Sequence, residues 1–329
     1  AEDGRYDERK WMDIVIDHTR VDSHMIYPQV QQAIDTTRDL IWFQDEPYQS
    51  QSAFLGYCVF GIARENGVKV LLNGQGADEY LGGYGQFAAA RYANMVRQFR
   101  LYSLLSDIRN LHKIRNITNA TLLRQIAYHL LPHTLRSRIG NMTGSADHVR
   151  EVISIEKLGI THTHPYDVIP VGMDTVPEIS EHLTFYSTLP KYLRWEDRNS
   201  MAHSVEARVP FLDHRLVEFT YSLPDDFLEK DGITKRVMRE AMNSLVPEKI
   251  KNRKDKMGFT TPEEVWVRRE RPEYFSEKII EASTATDGIV KKEAADYFNR
   301  IVKGELPFDY TYWRIILFSE WMQKFNIRP

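Results

Sequence analysis

The chain has 329 residues, enough for one large core or two ordinary ones, and a formal net charge of −3. That balance gives no electrostatic reason to expect nucleic acid or an acidic membrane surface as partner. A single cysteine, Cys58, rules out an intramolecular disulfide, and no apolar run approaches the roughly 20 residues that a membrane span needs. A reducing, cytoplasmic compartment is expected. The opening Ala1-Glu-Asp-Gly-Arg-Tyr-Asp-Glu-Arg-Lys10 is no signal peptide, and it lacks an initiator methionine.

In chain order, apolar spacing predicts a helix over 7–19, with Trp11, Ile14, Val15 and His18 as candidates for one face. A short strand is expected over 23–27, and Pro28 suits the start of a second helix reaching about Phe43. Asp45-Glu46-Pro47 breaks the chain. A third helix is predicted over 51–66, with Cys58 on its apolar face as a buried structural thiol. Gly67 stands where a helix C′ glycine belongs. The apolar stretch that follows reads as a short buried strand ending in Asn73-Gly74-Gln75-Gly76-Ala77-Asp78-Glu79. Helix, glycine, strand and Gly-x-Gly turn make half of an α/β nucleotide-binding unit.

Beyond Tyr84 the pattern is helical to about His182, with spaced leucines and isoleucines over 101–111 and 122–131 and a polar loop over 137–147. His162 and His164 lack a third ligand at metal spacing, and Pro132 disturbs the helix that would align His129 with His133. A helix is predicted over 193–207 with Arg194, Asp197, Arg198, Ser200, His203 and Glu206 on its polar side. A turn over 209–213 and helices over 214–222, 235–245 and 262–270 follow. The aromatics of 306–326 read as core, since no basic groove accompanies them as a stacking platform would require. The fold expected is α/β: a helical mass around a small parallel sheet.

Two glycines in Gly74-Gln75-Gly76 let backbone N–H groups approach an anion, and an aspartate just past such a turn, Asp78, is placed to hold Mg²⁺ beside a phosphate. The plainer reading is a tight turn in which Asp78 and Glu79 cap the next helix. The turn is neither a Walker loop nor a Gly-x-Gly-x-x-Gly fingerprint. In Asn252-Arg-Lys-Asp-Lys-Met-Gly-Phe259 the basic run is that of a solvated face. Its Lys256-Met-Gly-Phe259 ending suggests a loop that aims one ammonium into a pocket, where it would stabilise charge during phosphoryl or adenylyl transfer.

Leu72 to Tyr84, with Asp45-Glu46-Pro47, Glu196-Asp-Arg-Asn-Ser-Met201, Glu206-Ala-Arg-Val-Pro-Phe-Leu-Asp213 and Lys256-Met-Gly-Phe259, resembles the synthetase domain of glutamine-dependent asparagine synthetases. The motifs occur in the family's order across nearly the whole chain. The resemblance implies an adenine nucleotide α-hydrolase-like (ATP-pyrophosphatase) parallel sheet over 1–329, with 86–182 as a helical elaboration. It implies activation of the aspartate side-chain carboxylate by ATP and Mg²⁺ to a β-aspartyl-adenylate, then attack by ammonia released from glutamine in a separate N-terminal glutaminase domain. It admits a homodimer. Carried over by motif, Asn73, Gly74 and Gly76 line the nucleotide and intermediate pocket, Asp78 binds Mg²⁺, and Lys256 steadies phosphate charge. Glu79, Asp197 and Arg198 hold substrate or order the pocket, whereas Glu206, Arg208 and Asp213 read first as structural ion pairs.

Three departures from the family matter. No Ser-Gly-Gly-x-Asp-Ser pyrophosphate loop occurs in the 329 residues, so the sheet is expected to be incomplete and the piece inactive alone. No glutaminase with its terminal cysteine nucleophile is present. Many members have Glu between the two glycines, where this chain has Gln75, which hydrogen-bonds a substrate but cannot act as a base toward ammonia. The acceptor is therefore open between aspartate and the substrates of related amide-forming enzymes, such as a β-lactam synthetase or an amidotransferase of surface-polysaccharide assembly. A non-catalytic helical interaction module is the alternative from another class.

Overall fold

The computed structural model describes residues 7–114, 117–131, 147–159, 173–254 and 258–328. Helices α1 (Arg9–Thr19), α2 (Val30–Gln44) and α3 (Ser52–Glu65) come first. The strand expected over 23–27 does not form, because no described strand lies beside that stretch to share a ladder with it. Helix α3 ends as the sequence implies: Gly67 takes a left-handed φ of +72°, and the chain enters β1 (Val70–Leu72).

Beyond β1 lie α4 (Ala77–Tyr80), α5 (Gly85–Arg97), α6 (Leu101–Ile114), α7 (Asn119–Leu130), α8 (Asp147–Val152), α9 (Ile155–Leu158) and α10 (Val176–Glu181). A π-helical turn at His182–Tyr186 joins α10 to α11 (Thr188–Ala202). Next come β2 (Glu206–Arg208), α12 (His214–Tyr221), α13 (Asp225–Leu228), the hairpin β3 (Glu229–Lys230) and β4 (Ile233–Thr234), α14 (Arg236–Ala241) and α15 (Glu248–Lys251). The last elements are α16 (Glu263–Val265), a π-helical turn at Trp266–Glu270, α17 (Pro272–Ala285), α18 (Glu293–Val302) and α19 (Thr311–Lys324).

Two predicted helices are shorter than their apolar spacing suggests. The one expected over 193–207 stops at Ala202, since Ser204 turns left-handed and the Glu206 N–H is drawn to Lys69 O at 2.8 Å, making a strand of the last residues. Likewise 235–245 is helical only through Ala241, and Ser244 has a positive φ. The loop at 137–146, together with His133, His162 and His164, lies outside the described residues.

Strands β1 and β2 pair in parallel, Val70 opposite Glu206 and Leu72 opposite Arg208. Among the described residues no other strand bonds to β1, and Val70 and Leu72 stay exposed. The bulk of the molecule is helical. Its main core joins α2, α3 and α11 to the C-terminal helices, and the predicted core aromatics Tyr312 and Trp313 are buried there against Phe275. Cys58 is buried in the same core, which pushes its thiol up to about 12. Asn199 joins three of these helices: it accepts from Gln44 Nε2 at 3.0 Å and donates to Ala53 O at 2.8 Å. Its amide lies so close to Gly56 that a Cβ there would meet Nδ2 at 2.8 Å. Among the described residues no helix is long and apolar enough to cross a membrane.

Helices α5–α7 carry a separate small core of Tyr92, Ala93, Leu104, Leu111, Leu122 and Ile126. The buried Arg91 ties them to the β3–β4 hairpin. Its guanidinium bonds Asp107 on α6, meets Asp226 of α13 at 2.8 Å and approaches Glu229 of β3 at 3.5 Å. Burial by itself would raise the Asp226 carboxyl, and Arg91 and Lys230 together outweigh it and hold the group below its ordinary value. Asp107, more fully desolvated, is raised. Replacing Arg91 with Met would strand buried carboxylates, so Arg91→Met is expected to cost about 3–5 kcal/mol of stability in urea unfolding.

Candidate active site

The carboxyl ends of β1 and β2 carry the two turns of interest side by side. The Asn73 N–H donates to Arg208 O at 2.7 Å, extending the ladder by one residue and holding 73–76 next to 209–213. Asn73 then turns its side chain inward. Its Oδ1 accepts from the Gln75 N–H at 3.2 Å, and its Nδ2 donates to the buried carboxyl of Glu196 on α11. Desolvation raises the Glu196 carboxyl, and the amides of Asn73 and Gln75 oppose the rise.

The two glycines of the turn have different reasons to be glycine. Gly76 has φ +94°, and a Cβ there would come within 2.2 Å of Leu212 on the adjacent turn. At Gly74 φ is not in the left-handed region, and among the described residues a Cβ would meet nothing within 4 Å. Packing among these residues therefore demands glycine at 76 and leaves an open face at 74.

Past the turn, Asp78 at the start of α4 folds over Gly83, where a Cβ would meet its Oδ1 at 1.9 Å. That oxygen lies 2.8 Å from Lys235 Nζ, both side chains being about two-thirds covered, at 31% and 28% exposure. Glu79 is buried and accepts from the Tyr84 hydroxyl at 2.6 Å. Burial, and then that carboxylate, raise the Tyr84 hydroxyl far above its ordinary value. Among the described residues no group of three His, Cys, Asp or Glu side chains could hold a metal ion. Asp78 alone suits Mg²⁺ only where phosphate oxygens complete the shell.

Of the other residues singled out in the sequence, Asp197 is exposed, and Arg198 meets Asp45 at 2.8 Å beyond the end of α2. Arg194 holds Glu46 at 2.8 Å, so Asp45-Glu46-Pro47 is fastened to α11 by two arginines. The residue that α11 turns toward the Gly74 loop is Glu196. Glu206 and Arg208 form an ion pair at 2.6 Å, and Asp213 caps α12 while meeting Arg215 at 2.7 Å. Lys256 lies outside the described residues.

Two residues near the turn carry little signal in the sequence. Lys235 had no signal, being a lone lysine after Gly232-Ile-Thr. Glu196 heads one of the matched motifs, and its helical position, one turn from Asn199 and Ser200 on the buried side of α11, was the available sign.

The segment after Lys256 is anchored on α3. Ser52 Oγ donates to Phe259 O at 2.6 Å, and the buried Glu263 carboxyl meets Thr261 Oγ1 at 3.2 Å and the Tyr312 hydroxyl at 3.3 Å. Beside this segment a cleft of about 760 Å³ opens between residues 24–29 and Leu55, Val59 and Ile62 of α3. None of Asn73 to Glu79 lines it. Pocket volume and site chemistry thus part company here.

A family model described as asparagine synthase matches residues 1–323. The chain belongs to the asparagine synthase family. It is 26% identical to asparagine synthetase [glutamine-hydrolyzing] 1 of Bacillus subtilis (strain 168), covering 86% of this chain and 44% of that protein. A putative asparagine synthetase [glutamine-hydrolyzing] of Mycobacterium tuberculosis is 30% identical over 70% of this chain and 35% of its own length. Amidase chry2 of Gibberella zeae is 22% identical, over 84% and 45%. The chain thus spans less than half the length of these relatives.

Two expected outcomes follow from this geometry. Gly76→Ala should cost about 1–3 kcal/mol through backbone strain and the clash with Leu212, and Gly74→Ala should leave the thermal midpoint nearly unchanged. Equal losses would overturn the distinction. Burial raises the Glu263 carboxyl from an ordinary 4.5 to about 7, against hydrogen bonds from Thr261 and Tyr312. A raised carboxyl binds its proton more tightly in the folded state, so its stabilising contribution, full below pH 4.5, is lost as pH climbs through 7. Glu263→Gln should flatten that part of the stability–pH curve.

Proposed function

We propose that this chain is the nucleotide-handling part of an enzyme that joins ammonia to a carboxylate at the expense of ATP. Its first candidate acceptor is the side chain of aspartate. The observation that carries the reading is the turn at the end of β1, whose Gly74 faces open space although nothing among the described residues requires a glycine there. Such a face lets a phosphate or ribose approach the backbone closely. Position supports it as well, because ligands of open α/β sheets bind outside the carboxyl ends of the strands. The sheet is read as one edge of an ATP-pyrophosphatase fold. The exposed Val70 and Leu72 fit that view, since parallel sheets are covered on both faces.

In this reading an oxygen of the acceptor carboxylate attacks the α-phosphorus of ATP, and the bond to the pyrophosphate oxygen breaks. The acyl-adenylate then accepts ammonia at its carbonyl carbon, losing AMP and a proton to leave the amide. Mg²⁺, when bound, neutralises phosphate charge. Gly74 and Gly76 leave room for the nucleotide, and Asn73 fixes the turn against Glu196. Asp78 offers a carboxylate that Lys235 keeps neutralised until phosphate arrives, and Lys256 adds a second cation toward the leaving pyrophosphate. Glu79 holds Tyr84, while Asp197 and Arg198 order the helix that bears Glu196. Gln75 offers its amide to the acceptor. Residues 86–182 are read as a helical elaboration of this unit, which works in a reducing, cytoplasmic setting. Ammonia comes from glutamine, hydrolysed in a partner glutaminase domain.

A second reading keeps the chemistry and changes the acceptor. It is favoured by Gln75 and by a relative that is named an amidase.

Pyrophosphate release in the presence of ATP, Mg²⁺, ammonium and a panel of carboxylic acids separates the two. The 329-residue chain alone should give no appreciable release, for want of a Ser-Gly-Gly-x-Asp-Ser loop. In the parent enzyme, release should be largest with aspartate. Lys256→Ala should lower it by about 10²-fold or more while ATP binding persists. Unchanged turnover in that variant would refute its role, and an absence of ATP binding in the parent would leave a scaffold in place of an enzyme.

A further inference from the structure

A second concave site lies behind the α14–α15 corner. It encloses about 100 Å³ and is lined by Ile233, Arg236, Arg239, Glu240, Lys251, Asn252 and Lys254. Four cations thus face one carboxylate. Arg239 fixes the corner, donating from Nε to Thr234 O at 2.7 Å and from Nη1 to Lys251 O. Both of its partners are neutral carbonyls. Arg236 likewise donates to a carbonyl, Asp226 O at 3.2 Å. Among the described residues no carboxylate lies within ion-pair distance of Arg236, Arg239 or Lys254, although the chain carries an excess of acids. Lys251 has the exposed Glu248 at 2.7 Å, outside the pocket lining.

The neighbouring basic residue behaves differently. Arg253 leaves the run to meet Glu8 at 2.5 Å and to cover the ring of Trp11 at 4.9 Å. The basic stretch is therefore divided: Arg253 is taken up by α1, and Lys251 and Lys254 line the pocket. Half-burying a guanidinium without a counter-charge costs free energy that a solvated lysine face never meets. Burial also pulls the Arg239 guanidinium below its ordinary value. A cavity of this size holds one tetrahedral oxyanion with little to spare, and guanidinium groups suit its planar pairs of acceptors.

We propose that this pocket is a binding site for a single phosphate-class oxyanion, distinct from the turn at Gly74 to Asp78. Arg236, Arg239 and Lys254 are its cationic ligands. An anion there cross-links α14 to Lys254, two residues before Lys256, and so couples free phosphate to the segment that bears that lysine.

Calorimetric titration of the protein with inorganic phosphate, at ionic strength held constant with chloride, tests this. One site is expected. Lys254→Gln and Arg236→Gln should each weaken it by about tenfold or more, and Lys235→Gln should leave it unchanged. Lys254 is exposed, so its variant keeps the fold even if loss of Arg236 disturbs the corner. No binding at millimolar phosphate, or full binding in Lys254→Gln, overturns the proposal. Loss in Lys235→Gln with retention in Lys254→Gln would place the anion at the candidate active site, overturning this site and leaving the proposed function intact. The expected pattern with no ATP binding in the parent would do the reverse.

Discussion

Parallel pairing between two three-residue strands sets the position of everything chemical in this chain. Three residues are too few to hold a ladder in water unaided. The pairing survives because helices α3 and α11, which lead into the two strands, pack closely through Gly56 and Asn199. Closing the strand ends then takes one more contact, Asn73 to Glu196, which joins the turn after β1 to the helix before β2. The turn after β1 is thus placed by the helix preceding β2, and the turn after β2 lies against it through Leu212 and Gly76.

Buried and half-buried carboxyls recur around this frame, and each is restrained by neutral or cationic donors. Glu196 has Asn73, Glu79 has Tyr84, Glu263 has Thr261 and Tyr312, and Asp226 has Arg91. At the half-buried Asp226 the cationic partners win over desolvation and favour the ionised form, whereas at the buried Asp107 desolvation wins over the same Arg91 guanidinium. Where donors are hydroxyls or amides, as at Glu196 and Glu263, desolvation wins and the proton is held more tightly. Depth of burial and donor charge decide together: a neutral hydrogen bond returns only part of the hydration that a carboxylate loses, and at the buried Asp107 even a guanidinium does not restore it.

Local physics made the α3–Gly67–β1–turn succession legible in the sequence. Helical spacing, a C′ glycine and a short apolar run each act within a few residues, and all three recur in the structure. The strand β2 was hidden inside a helical pattern because its conformation is imposed by β1, some 130 residues earlier, through bonds such as Glu206 N–H to Lys69 O. Lys235 was hidden for the same reason, since its meeting with Asp78 is made by a hairpin and a helix start that spacing does not register. The expected strand at 23–27 erred in the opposite direction. Its residues suit a strand, but a strand is a property of two segments.

The contrast between the two glycines explains how a motif can be both structural and open to a ligand. Gly76 is fixed by its neighbour Leu212, and without that contact the turn after β1 could not lie against the turn after β2. Gly74, two residues away, is under no such demand from the described residues, and a glycine the fold does not use lowers stability by widening the unfolded ensemble. Under the proposed function, such a residue has its justification in a ligand. A ligand that comes within van der Waals distance of its Cα supplies one, and the neighbouring Asp78–Lys235 pair supplies charges of both signs for a metal–phosphate group to exchange with. In the proposed function, the requirement for glycine at 74 comes from the bound state.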